Sequence, residues 1–349
     1  MSNAMKNQYR LLCLGLVAFF LATVIESAYA GSPRYVFKVA SLAPEGSVWA
    51  KRFRDFTNEV TVKSDGEIKF KIYAGGVMGD DRAMYRKLRV GQLNGGGFTM
   101  TGMGEVVPDF RVLGIPFLFN SYAEVDRVKE KLMPRFEEEF DKKGLVLMAL
   151  SEVGFVYTMS TTPIKTLTEL KQSKAWAPEG DPISQVLLDT VGVTPIPLSI
   201  PDVLTSLQTG LINTTFNSYY GSIVMQWFTR ISYITDIPFA YAYGVFVLDK
   251  KTFSRLPPQY ADLMKSAAKT HFDKLLSDTR KSNEDALQVL LQNNITLVQL
   301  IPSTKAELQN NYREMIIEKL VPNAFSRSIY TEAIMHLDNY HKELSATQQ

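Results

Sequence analysis

Apolar positions along residues 35–150 follow two rhythms. Tyr35-Val36-Phe37-Lys38-Val39-Ala40 is a short apolar run ending at Ser41, the composition of a strand. Trp49, Phe53, Phe56 and Val60 then recur at steps of four, three and four, one face of an amphipathic helix. Ile68 to Tyr73 alternates with period two, as a half-buried strand does. Gly75-Gly76 and Gly79 break the chain before a helix around Arg82 to Val90. Phe117-Leu118-Phe119, a helix through Phe140, and Leu145 to Leu150 continue the alternation, which predicts a largely parallel sheet covered on both sides.

A second α/β unit begins near Gly154. It runs through a strand from Phe155 to Ser160, a helix at Leu167–Lys171 and a strand around Lys174–Ala177. Asp181-Pro182 is a helix start, with Asp as N-cap and Pro at the first helical position. Val245 to Leu248 reads as a strand returning to the first unit, so two lobes with at least two crossing segments are expected. Gln259 to Asn294 contains neither glycine nor proline. As one helix it would be ~50 Å long; the alternative is two helices joined at Ser282-Asn283.

Composition narrows the class. The chain has 349 residues, 46% hydrophobic and 21% charged, which describes a globular protein large enough for two lobes. The net charge of +2 gives no basis for a nucleic-acid partner. Met1 to Ala4 reads as an expression scar. Lys6 and Arg10, the apolar run Leu11–Ile25 and Ala28-Tyr29-Ala30 form a cleavable leader, with Gly31 as the expected mature N-terminus in the periplasm. Its apolar run falls short of the ~20 residues that span a bilayer. Cys13, the single cysteine, lies inside it, so no disulfide or thiolate metal site is expected in the mature chain.

Enzyme signatures are missing from the sequence. His271, His336 and His341 lack metal-ligand spacing, and no nucleophile elbow, phosphate loop or zinc pattern occurs. Gly95-Gly96-Gly97 reads as a loop where backbone approaches something closely. Trp176, Phe216, Tyr219, Tyr220, Trp227, Tyr241 and Tyr243 crowd around loop signals, the makings of an apolar-walled cleft.

Several segments together carry a resemblance. Ala40-Ser41-Leu42-Ala43-Pro44-Glu45-Gly46-Ser47, the turn Tyr73 to Arg82, Leu113-Gly114-Ile115-Pro116-Phe117-Leu118-Phe119, Pro163-Ile164-Lys165, Leu207-Gln208-Thr209-Gly210 with Asn217, and Phe253 to Pro258 occur in the order found in one family. The chain resembles the periplasmic solute receptors of tripartite ATP-independent (TRAP) importers. The resemblance implies a two-lobed α/β binding protein with a long helix spanning both lobes. It also implies closure on a small organic acid and docking on inner-membrane permease subunits; a monomer with no cofactor and no metal site is expected. Residues 31–152 with 244–283 are expected to form one lobe, and 153–243 with 284–349 the other.

The departures from the family bear on specificity. Members place an arginine in a turn that here reads Lys174-Ala175-Trp176-Ala177-Pro178, and that arginine grips the ligand carboxylate. A second basic position is Val156, and the glutamate before the family's asparagine is Phe216. The expected cleft therefore has Asn217 as polar anchor, with Trp176, Phe216, Tyr220 and Val156 as apolar wall. Arg82, Ser41 and Thr101 are candidate contacts from the first lobe, and Glu179 is a candidate partner for a ligand amine. A monocarboxylate with an apolar or aromatic body is the expected ligand. The competing readings are a periplasmic hydrolase on a similar frame and a sensor subunit of a signalling system.

Overall fold

The computed structural model describes residues 33–309 and 313–347. The expected leader, Cys13 and the cleavage site lie outside the described residues. The first unit carries β1 (Tyr35–Ser41), α1 (Val48–Lys63), β2 (Ile68–Tyr73), α2 (Asp81–Arg89), β3 (Gly95–Thr99), the short α3 (Met100–Gly104) and α4 (Tyr122–Lys142). The chain then runs through β4 (Leu145–Ser160), β5 (Trp176–Pro178), α5 (Pro182–Thr190), β6 (Ile196–Leu198), β7 (Thr214–Asn217) and α6 (Tyr219–Val224). It closes with β8 (Tyr233–Asp249), α7 (Pro258–Gln292), β9 (Thr296–Val298) and α8 (Arg327–Thr347).

Helix starts follow the side chains that can satisfy the free N–H groups of a first turn. Ser47 Oγ accepts from Ala50 N at 3.2 Å, and Asp80 accepts from Ala83 N at 2.7 Å. The stripe read on α1 faces inward: Phe56 and Val60 are fully buried, with Trp49 and Phe53 packed beside them.

β1 pairs parallel with both β2 and β3, as alternation predicts. The sheet is not largely parallel, however. β8 returns from the second lobe and inserts antiparallel between β3 and β4, and β7 also runs antiparallel to β4. A strand that leaves one lobe must be answered by one running back, which a local alternation of strands and helices does not reveal. The two strands expected on either side of Gly154 are one, β4, with register shifts at Leu147/Ala149, Glu152/Gly154 and Val156/Thr158. β8 likewise extends far beyond Val245–Leu248. These long strands serve both lobes: the two pair along their length, β8 joins β3 at one end and β9 at the other, and β4 joins β7 at its far end.

Gly95 and Gly96 belong to β3, not to a loop. A Cβ on Gly96 would stand 2.6 Å from Ala40 O, so close approach is to the neighbouring strand.

α7 is continuous through Ser282-Asn283, 35 residues and about 50 Å long. Its first half packs Ala268, Phe272 and Leu275 on the first lobe, where Phe272 stacks on Phe246 with centroids 5.7 Å apart. Its second half packs Ala286 and Leu290 against Met159 and Ile234 of the second. Asn283 is a bridge, not a break: it donates to Val153 O at 3.0 Å and accepts from Tyr220 N at 3.0 Å.

Of residues 284–349, expected with the second lobe, α8 joins the core built around α4, while Ile316 and Leu320 pack with Ile183 and Leu187 of α5. Ile329, Ala333 and Leu337 share a cluster with Phe136, and Arg135 pairs with Glu332 at 2.9 Å. Tertiary burial of the apolar stripe on α8 decides this, and order along the chain does not encode it.

Candidate functional site

Between the lobes lies a cavity of about 260 Å³. Ser41, at the end of β1, and Thr99 and Thr101, at the β3–α3 junction, line it from the first lobe. Trp176 on β5, Phe216 and Asn217 on β7 and Asp181 before α5 line it from the second, with Val156 on the crossing strand β4. Six of the sequence-predicted residues therefore converge: Ser41, Thr101, Val156, Trp176, Phe216 and Asn217.

Trp176, Phe216 and Asn217 are held by local structure. Trp176 is 3% exposed, donates its indole N–H to Leu198 O at 3.0 Å and meets Trp227 edge-on at 5.2 Å. Phe216 meets Phe239 edge-on, also at 5.2 Å. Both phenylalanines also border a smaller apolar recess of about 50 Å³ beside Leu188 and Leu308. Asn217 Oδ1 accepts from Ser218 N at 2.8 Å, and α6 starts there with glycine at 221 because a side chain would run into the amide. Thr99 donates to the buried carboxylate of Asp81 through its hydroxyl at 2.5 Å and its backbone N–H at 3.1 Å. Burial raises Asp81 to about 6 in spite of those two bonds, which stabilise the charged form.

Arg82, Tyr220 and Glu179 do not line the cavity; they join the lobes beside it. Arg82 bonds Glu105 Oε1 at 2.7 Å and Glu179 Oε1 at 2.8 Å, so both its carboxylate partners are already in the protein. Tyr220 Oη accepts from Val48 N at 2.8 Å and its ring lies 5.1 Å from that of Trp49.

Sequence reasoning took Asp181 only as a helix cap. It is one, accepting from Ser184 N at 3.1 Å and Ser184 Oγ at 2.5 Å, but it also lines the cavity. Burial raises its pKa; the bonds from Ser184 and the field of Arg111 act in the opposite sense. Phe239, on β8, was also missed, because the strand was read as starting only at Val245. Among the described residues, the cavity lining includes no Lys, Arg or His.

A fully paired cluster lies at the crossing of β4, β8 and α7. Glu152, 2% exposed, receives Arg280 Nε at 3.0 Å and Tyr241 Oη at 2.8 Å, while Arg280 also binds Asp126 at 2.7 Å. Burial alone would lower the pKa of Arg280; its bonds to Asp126 and Glu152 more than reverse this. The histidines pair with carboxylates, His271 with Glu59 at 2.8 Å and His341 with Glu124 at 2.9 Å. Among the described residues no group of side chains could hold a metal ion, and no helix is long and apolar enough to cross a membrane.

Two lobes, crossing strands and a helix spanning both define a periplasmic-binding-protein fold. Residues 39–320 match the model of the bacterial extracellular solute-binding proteins of family 7, DctP, and the chain belongs to that family. It is similar to a solute-binding protein of Chromohalobacter salexigens, 29% identical over 171 residues, 48% of this chain and 51% of that one, so the match spans about half the length of that relative. The 2,3-diketo-L-gulonate-binding periplasmic protein YiaO of Escherichia coli is 25% identical over 265 residues, 74% of this chain and 77% of its own. Among solved structures, the sugar acid binding protein DctPAm of Advenella mimigardefordensis, in complex with galactonate, superposes with a TM-score of 0.82 at 20% identity. That match covers 88% of this chain and 99% of the other. The family is one of binding proteins, and the resemblance to TRAP receptors read from the motifs stands.

Proposed function

We propose that this chain is the periplasmic receptor of a TRAP importer for a small compound with an apolar or aromatic body and at most one carboxylate. The ligand occupies the interlobe cavity, and the loaded receptor, acting as a monomer, delivers it to inner-membrane permease subunits. One observation carries this reading: a cavity of about 260 Å³ walled by Trp176, Phe216, Val156 and Phe239, with no basic side chain among the described residues of its lining. Asn217, Ser41 and Thr101 supply the orienting hydrogen bonds. Lobe boundaries near Val153 and Gly244 let the cleft open about β4 and β8, so binding is a population shift toward the shut form.

A dicarboxylate needs a charge-assisted partner at each end. A buried carboxylate without one costs several kcal/mol, roughly a thousandfold in affinity. A ring laid on Trp176 and Phe216 instead gains ~25 cal/mol per Å² of apolar surface buried. A thermal-shift panel tests the reading, since ligand at 100 times its dissociation constant stabilises by ~2.7 kcal/mol. Aromatic and branched compounds with no or one carboxylate are expected to raise the melting temperature, while succinate, fumarate and malate leave it unchanged. Shifts from the dicarboxylates alone would contradict it.

A further inference from the structure

Five polar groups around the cavity make no hydrogen bond to the described residues: the hydroxyls of Ser41, Thr101 and Ser151, the Asn217 amide nitrogen and the Trp227 indole nitrogen. All five are neutral. The other polar groups of the wall already have partners. Tyr241 donates to Glu152, Tyr243 to Phe110 O, Thr99 to Asp81 and Ser184 to Asp181.

The charges around the cavity are arranged against an anion. Among the described residues, Asp181 is the one carboxylate in the lining, 4% exposed. It caps α5, so the helix end that could attract an anion there is already occupied by the protein's own negative group. Arg82 lies outside the cavity between Glu105 and Glu179. Arg111 is close enough to Asp181 for its field to act on it, but it does not line the cavity and bonds Ala324 O at 3.2 Å. A carboxylate entering this space would lose its water, find no cation and face Asp181. A neutral amide, carbonyl or hydroxyl of the same shape would find several free donors.

We propose that the cavity selects ligands carrying no negative charge, and that Asp181 is the specificity-determining residue that turns carboxylates away. The class of ligand is a neutral aromatic or branched compound with an amide, carbonyl or hydroxyl head, a departure from the acids named for the similar proteins above. The proposal rests on reading the cavity as the site of an apolar-bodied ligand and removes the carboxylate which that reading still allows.

Titration calorimetry on matched pairs decides it: phenylacetate with phenylacetamide, indole-3-acetate with indole-3-acetamide, isovalerate with isovaleramide, all at one pH and salt concentration. In each pair that binds, the amide is expected to bind at least roughly tenfold more tightly, because the acid must bury an unpaired charge. Asp181→Asn keeps a good helix cap and should shrink the ratio of amide to acid affinity by roughly tenfold. Acids binding as tightly as their amides, or more tightly, would overturn the proposal and leave the apolar-body reading intact. If no member of any pair binds, the apolar-body reading itself falls, and the proposal with it. The wild-type comparison decides the matter even where Asp181→Asn does not fold.

Discussion

The strands β4 and β8 build two buried regions of opposite character. At their crossing with α7 they hold Glu152, Arg280, Asp126 and Tyr241 in a closed set of charged and hydrogen-bonded partners. Beside it they wall a cavity whose lining has no basic side chain among the described residues. Tyr241 belongs to both, lining the cavity with its ring and giving its hydroxyl to Glu152. The contrast separates two uses of buried polarity. A fully paired cluster fixes geometry where strands and helix must keep register, and it leaves no charge over for a visitor. The free hydrogen-bonding side chains of the cavity are neutral, which is what the proposed selection of uncharged ligands rests on.

The largest effect should come from unpairing the crossing. Arg280→Met leaves Glu152 buried without its cation, and loss of ~3–5 kcal/mol of stability is expected by urea denaturation. A loss under about 1 kcal/mol would show that water reaches Glu152 and that the cluster holds little. The converse change places charge in the cavity. Trp176→Arg should weaken a neutral apolar ligand by up to about a hundredfold, the scale of a buried tryptophan anchor, while raising affinity for carboxylates. Unchanged affinity would mean that Trp176 does not line the ligand site.

A smaller effect is expected from Asp81, which ties the start of α2 to Thr99. Its pKa rises from 3.8 to about 6 on folding, so between those values the folded chain binds more protons than the unfolded one. Its contribution to stability is therefore full below pH 3.8 and is lost as pH rises through about 6. The difference is on the order of 3 kcal/mol. Asp81→Asn should flatten the melting temperature against pH between 4 and 7 relative to wild type. Parallel profiles for the two proteins would contradict the assignment.

Local features of the fold were legible in the sequence. Periodicity found α1, β2 and α7, and the Asp181-Pro182 cap located α5 to the residue. What failed was non-local. The antiparallel insertion of β8, the joining of β4 through Gly154 and the docking of α8 on α4 depend on contacts between distant segments. Gly154 illustrates the limit. It reads as a break, yet it sits within β4 at φ +114°, where a Cβ would stand 2.7 Å from Asn283 Nδ2. Trp176, Phe216, Val156 and Asn217, whose positions the family pattern marks, do line the cavity. Arg82 and Glu179 pair with each other, and composition cannot show that two charges a hundred residues apart already satisfy one another. Asp181 was overlooked as a cavity residue because its role as a cap was sufficient to explain it.

Native mass spectrometry of the protein purified without refolding tests the central claim most directly, by identifying what the cavity holds. The account predicts one equivalent of a small neutral compound with an aromatic or branched body, lost on mild denaturation and absent from Trp176→Arg. Stoichiometric retention of a sugar acid or a C4 dicarboxylate would contradict it.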